Sequence, residues 1–218
     1  MLTENQTQQM LNDGTRQEVW EELYKDKALF CRVVFPNRFR REFGPMHKEV
    51  FEALNDLTLK QLLFIMHRDF GKTSLLQLGE AAWNILFEEA HFIVPISCSA
   101  MQAVQQSENL KLALSTNEVI RRYWGTLRPE TRETRFSKEM WHVRVEGSNK
   151  GTVVVPRGSG QQVRGLIYGD YRPDLILVDD LEDPEDLLSE EQRTKQKKWF
   201  FGTMKNIVDK KAEYRVYV

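Results

Sequence analysis

The sequence predicts an α/β domain with a mainly parallel central sheet flanked by helices, and three observations carry that prediction. Short, continuously apolar runs recur at Leu62–Met66, Phe92–Ser97 and Leu175–Val178, the pattern of strands buried on both faces. Stretches with apolar residues at helical spacing alternate with them, as in strand–helix–strand units. Two of the runs end in chemically distinctive residues: Gly71-Lys72-Thr73 follows the first, and Asp179-Asp180 follows the last.

At 218 residues and 25.7 kDa with 41% hydrophobic residues, the chain can bury one sizeable core. Lys and Arg number 31 against 32 Asp and Glu, so gross charge favours no class of partner and any nucleic-acid contact must be local. The cysteines Cys31 and Cys98 stand far apart with no Cys/His neighbours at metal spacing, which argues against a disulfide framework or zinc site and for reduced packing residues. No stretch approaches the 18 or more apolar residues of a membrane span, and the N-terminus lacks an apolar leader core. A soluble intracellular protein with no membrane partner is expected.

In chain order, residues 1 to 17 are polar and read as a frayed arm. A helix follows from Gln17 to Phe30, so residues 1–30 are an N-terminal arm and helix and residues 31–218 the main domain. Phe35-Pro36-Asn37-Arg38-Phe39 is a turn, basic together with Arg32, Arg40 and Arg41. Gly44-Pro45 opens a helix striped by Met46, Val50, Phe51 and Leu54. Leu62–Met66 reads as the first central strand, followed by a buried helix from Leu75 through Leu86. Phe92–Ser97 is the next strand and Ala100–Leu114 the next helix. Asn117–Ser137 is irregular and arginine-rich. Trp141–Val145 and Thr152–Val155 form a hairpin across Gly147–Gly151. Gly158-Ser159-Gly160 reads as flexible, Leu175–Val178 as a strand, Arg193–Lys198 as a basic helical stretch, and Tyr214–Val218 as a last strand. A chain that stops on such a strand reads as a fragment.

The run from Phe64 to Ser74 reads as a phosphate-binding loop. A strand delivers the chain to a turn whose backbone N–H groups, with the N-terminus of the next helix, suit phosphate oxygens. His67, Arg68, Asp69 and Phe70 form the loop, Gly71 permits close approach, Lys72 would reach the β- and γ-phosphates, and the hydroxyl of Thr73, beside Ser74, would hold Mg²⁺. Met66 stands where the GxxxxGK(S/T) pattern has its first glycine. Asp179 would share the Mg²⁺ with Thr73, and Asp180 or Glu182 would polarise the attacking water. Arg68 would contact a phosphate, or stay in solvent. Arg164 would act as an arginine finger in its own subunit or a neighbour's, or be a surface arginine paired with Asp170 or Asp174.

Arg68-Asp69-Phe70-Gly71-Lys72-Thr73, Ser97-Cys98-Ser99-Ala100 with Gln102-Ala103, Val163-Arg164-Gly165, and Arg172-Pro173-Asp174 leading into Asp179-Asp180 together resemble the ATPase domain of a large terminase subunit, the motor that packages DNA into tailed-phage procapsids. The resemblance spans about residue 30 to the end. It implies a P-loop NTPase fold of the ASCE type carrying an added hairpin and a small helical N-terminal segment. In that family the first loop glycine is commonly replaced. The resemblance also implies ATP and Mg²⁺ as cofactors, a homo-oligomeric ring around double-stranded DNA, Arg164 acting across subunits, and a C-terminal nuclease domain missing here. Portal protein and small terminase subunit are the implied partners, in the cytoplasm of an infected host cell with the motor docked on the procapsid. Phe43 and His47 match the place that contacts adenine in the family; the plainer alternative is a core Phe and a helix N-terminal His. Where many members have Glu after the strand-end Asp, this chain has Asp180, which keeps both Asp180 and Glu182 as candidates. Arg121, Arg122, Arg128, Arg132, Arg135 and Lys195, Lys197, Lys198 are the basic groups available to DNA phosphates. A helicase-like or recombination motor, and a nucleotide-binding scaffold without turnover, are the competing classes.

Overall fold

The computed structural model describes residues 4–67, 69–127, 136–181, 189–208 and 214–218. Four helices come first. Helix α1 (Glu4–Asp13) stands where an arm was expected, and the predicted single helix is two, α2 (Arg16–Lys25) and α3 (Lys27–Val34). The division falls at Asp26, which ends α2 and whose carboxylate caps α3 by accepting from the Leu29 N–H at 3.0 Å. Helix α4 (Pro45–Asn55) begins with Pro at its first position, where a missing N–H costs nothing. Its stripe buries Val50, Phe51 and Leu54 but leaves Met46 exposed.

Strand β1 (Gln61–Leu62) leads to the loop and then to a π-helical segment (Ser74–Glu80) that runs directly into α5 (Ala81–Leu86). Strand β2 (Phe92–Ser97) and α6 (Ala100–Thr116) follow. Helix α7 (Glu118–Trp124), capped by Asn117, occupies a stretch read from sequence as irregular. The expected hairpin forms: β3 (Trp141–Val143) pairs antiparallel with β4 (Thr152–Val154). Gly158 belongs to the short strand β5 (Arg157–Gly158), so the expected flexible segment is partly sheet. Strand β6 (Leu175–Val178), α8 (Glu190–Gly202), a 3-10 turn (Met204–Asn206) and β7 (Arg215–Tyr217) complete the order.

The sheet runs β1-β7-β6-β2-β4-β3, parallel except for the β3–β4 pair, with β5 also on β2. The protein is therefore α/β with a mixed, mostly parallel sheet flanked by helices. Its central strands bury both faces by alternation: Leu175 and Leu177 join the core under α3, α4 and α5, while Ile176 and Val178 join a second core with Val94, Ile96 and Met204. The carbonyls of Ile93 and Ser97 accept from Val155 and Ser159, so Pro95, two residues from each, faces that same edge. It lacks the N–H that would meet Val155 O, and the ladder on this edge is interrupted there, between β4 and β5.

Strand β1 departs from expectation. It lies at the sheet edge, paired only with β7 among the described strands, and Leu63 and Ile65 are 70% and 89% exposed. Its ladder continues past the named strand, because Phe64 N–H donates to Val218 O at 2.8 Å.

Beneath the segment that follows the loop, Lys27 and Glu80 form a fully buried ion pair at 2.9 Å. The Lys27 ammonium also donates to Leu54 O at 2.6 Å and lies over the Trp83 ring, while Asn84 donates to Glu80 Oε1. Burial lowers the Lys27 pKa, and the Glu80 charge opposes the fall. Removing one member strands the other charge in the core. Lys27→Met is predicted to cost about 3–5 kcal/mol, read as a lower urea midpoint with an unchanged slope. A midpoint within error of the parent would show that Glu80 is not held charged by Lys27.

Candidate functional site

Parallel strands place their C-terminal ends together, and ligand crevices in open α/β sheets form there. Here β1 and β6 run parallel with β7 between them, so the loop after β1 and the acids after β6 meet although 108 residues separate Lys72 from Asp180. The Lys72 ammonium lies 3.4 Å from Asp179 Oδ1 and 3.2 Å from Asp180 Oδ1.

The loop is shaped by two left-handed residues, Asp69 at φ 70° and Gly71 at φ 77°. A helix starts at once, with the Leu75 N–H donating to Gly71 O at 2.9 Å, so its first N–H groups face the loop. Arg38 Nε donates to Ser74 Oγ at 2.9 Å and ties the basic turn to this helix. Gln77 Nε2 donates to Leu177 O at 3.0 Å and seats the helix on β6.

Asp179 is fully buried, whereas the Asp180 side chain is 62% exposed and its backbone takes φ 46°. Burial pushes the Asp179 carboxyl above the usual carboxylate range, and the Asp180 charge adds to the rise; the Thr73 hydroxyl and Lys72 ammonium oppose it. Oδ2 accepts from Gln106 Nε2 at 3.4 Å. Oδ1 meets Lys72 by charge and has no hydrogen-bond donor among the described residues. A buried carboxylate oxygen with an unused lone pair, beside a hydroxyl, suits a divalent cation. No cluster of three or more His, Cys, Asp or Glu able to hold a metal occurs among the described residues. That donor set fits Mg²⁺, which takes one or two protein oxygens together with phosphates, better than it fits an all-protein cage.

A cavity of about 700 Å³ adjoins the loop, lined by Phe43, His47, His67, Phe70 and Gly71 together with Arg38, Arg40 and Arg41. His47 Nδ1 accepts from the Gly44 N–H at 3.2 Å. The proton is thereby assigned to Nε2, which donates to Phe70 O at 2.9 Å while the two rings stack. Phe43 packs edge-on against Phe51, 4.7 Å between ring centres. Phe43 thus packs on α4, His47 ties α4 to the loop, and both line the cavity.

Lys72, Thr73, Asp179 and Asp180 are brought together, and His67, Asp69, Phe70, Gly71 and Ser74 surround them or the cavity. Arg68 and Glu182 lie outside the described residues, as do Arg128, Arg132 and Arg135. Arg164 is exposed and donates to Gly202 O at 3.2 Å, on the α8 side of the sheet, rather than to Asp170 or Asp174. The Asp174 carboxylate accepts instead from the N–H groups of His91 and Phe92. Gln106 and Arg38 were not singled out as site residues. The basic run Arg38–Arg41 was visible, but its reach to Ser74 depends on the fold, and Gln106 is one of several glutamines on an otherwise ordinary helix. No protein-family model matches the chain, and no curated protein matches it.

A Cβ on Gly71 would meet nothing within 4 Å, so the cost of a side chain there is conformational alone. Gly71→Ala is predicted to lose about 1–2 kcal/mol of stability, measured by thermal unfolding. A neutral substitution would mean that the loop does not hold the left-handed turn.

Proposed function

We propose that the chain is an ATPase motor of the large terminase type, hydrolysing ATP with Mg²⁺ to drive double-stranded DNA into a viral procapsid as part of a homo-oligomeric ring. The observation that carries the reading is Lys72 meeting Asp179 across an intervening parallel strand. In the ASCE arrangement the loop strand and the acid strand are likewise separated by one strand, here β7. Portal protein and small terminase subunit remain the partners implied by the sequence resemblance, and the procapsid in the host cytoplasm the implied place.

In this reading the loop N–H groups and Lys72 orient the phosphates, and Thr73 and Asp179 supply the oxygens for the cation. Bound Mg²⁺ would neutralise phosphate charge. Phe43 and His47 border the cavity for the base, close enough to the loop for one nucleotide to occupy both. Asp180 or Glu182 polarises the water; Asp180 stands at the strand tip and Lys72 holds it there. Arg164, exposed and bonded to Gly202 O, serves a neighbouring subunit as the finger in this reading. Hydrolysis in isolation is then weak, since ring assembly completes the site.

Lys72→Ala in the full-length chain is predicted to lower kcat for ATP about 100-fold or more, the scale for removing one group that stabilises transition-state charge. Unchanged turnover would overturn the site assignment. Mixing Arg164→Ala subunits with Lys72→Ala subunits is predicted to restore part of the activity, because mixed interfaces then contain one intact pair. Mixtures as inactive as either variant would rule out the finger across subunits.

A further inference from the structure

The C-terminal end of β2 contributes nothing to the proposed chemistry directly, yet it reaches the acid strand through one side chain. Ser97, the last residue of β2, is fully buried and donates from Oγ to Gln106 Oε1 at 2.7 Å. Gln106, two turns into α6, then donates from Nε2 to Asp179 Oδ2 at 3.4 Å. The two partners orient the amide. A carboxylate oxygen can only accept, so the NH₂ end must face Asp179, and the oxygen end then takes the Ser97 hydroxyl proton.

The relay treats the two oxygens of Asp179 unequally. Oδ2 is engaged by Gln106, while Oδ1 points at Lys72 with no hydrogen-bond donor of its own. A carboxylate free to rotate would present either oxygen, or neither, to a ligand beside Lys72. One held by a neutral amide presents Oδ1 without adding charge. Partners of this kind commonly govern how well a metal ligand performs.

We infer that Gln106, oriented by Ser97, is a positioning residue that holds the Asp179 carboxylate with Oδ1 toward Lys72, the oxygen that would help to hold Mg²⁺. The inference rests on the phosphate-site reading above. It adds α6 and the end of β2 to the site, and it makes the metal affinity sensitive to movement of α6.

The test measures binding of a fluorescent ATP analogue to the full chain, titrating MgCl₂ and repeating the measurement in EDTA, with thermal unfolding of each variant alongside. Gln106→Leu keeps the approximate volume and removes both polar ends. The Mg²⁺ concentration at half-saturation is predicted to rise about tenfold or more, with binding in EDTA unchanged. Ser97→Ala, which frees the amide to turn, shifts the same way by less, and it carries the test where Gln106→Leu does not fold. A folded Gln106→Leu with the parental Mg²⁺ dependence, or one that weakens binding equally with and without Mg²⁺, overturns the inference. Lys72→Ala separates the two levels. If it leaves binding intact, the phosphate-site reading fails and this inference with it; if it abolishes binding while Gln106→Leu keeps the parental Mg²⁺ dependence, only the role of Gln106 fails.

Discussion

The structure turns on a carboxylate placed where water is excluded. Asp179 ends a strand whose four residues are at most 1% exposed, so its charge must be met from the loop after β1. Lys72 is the cation that meets it, and through it the sheet edge, the loop and the acid strand become one unit. Burial makes that carboxylate costly, and the Lys72 charge and the Thr73 hydroxyl offset part of the cost. In the proposed function those same features would let it hold a divalent cation together with Thr73.

The surrounding architecture serves that contact. Strand β7 spaces β1 from β6, and the pairing of Arg215 N–H with Asp174 O and of Val216 N–H with Lys60 O fixes the register in which the two strand ends align. Below the loop, the Gln77–Leu177 bond seats the helical segment on β6, and the buried Lys27–Glu80 pair ties the end of that segment to α3. Above it, His47 bonds the Phe70 carbonyl and connects α4 to the loop. The left-handed residues Asp69, Gly71 and Asp180 cluster where the chain reverses beside the site, as backbone strain tends to do around functional groups.

The sequence made some of this legible for identifiable reasons. Strands β2 and β6 are continuous apolar runs buried on both faces, and the β3–β4 hairpin announces itself by β-branched residues around a Gly-rich turn. Lys72 and Asp179 stood out because each follows such a run. The position of β1 was not legible, because pairing order is a non-local property and an apolar run reads alike at centre and edge. The division at Asp26 was hidden inside one helical periodicity, and α7 was masked by its arginines, although Ile120, Tyr123 and Trp124 bury its inner face. Lys27, Glu80 and Gln106 are residue types that normally face solvent, and only the fold shows them inward or paired.

In the proposed function the loop from Asp69 to Leu75 and the strand tip at Asp179–Asp180 form one phosphate and metal site. Amide hydrogen exchange of the chain with and without a slowly hydrolysed ATP analogue and Mg²⁺ checks whether the two segments act as one site. Slowed exchange at the amides of Asp69 to Leu75 and of Asp179 to Leu181, diminished when EDTA replaces Mg²⁺, is the predicted result. Exchange unchanged at both segments under saturating nucleotide, or protection confined to a distant surface, would contradict it.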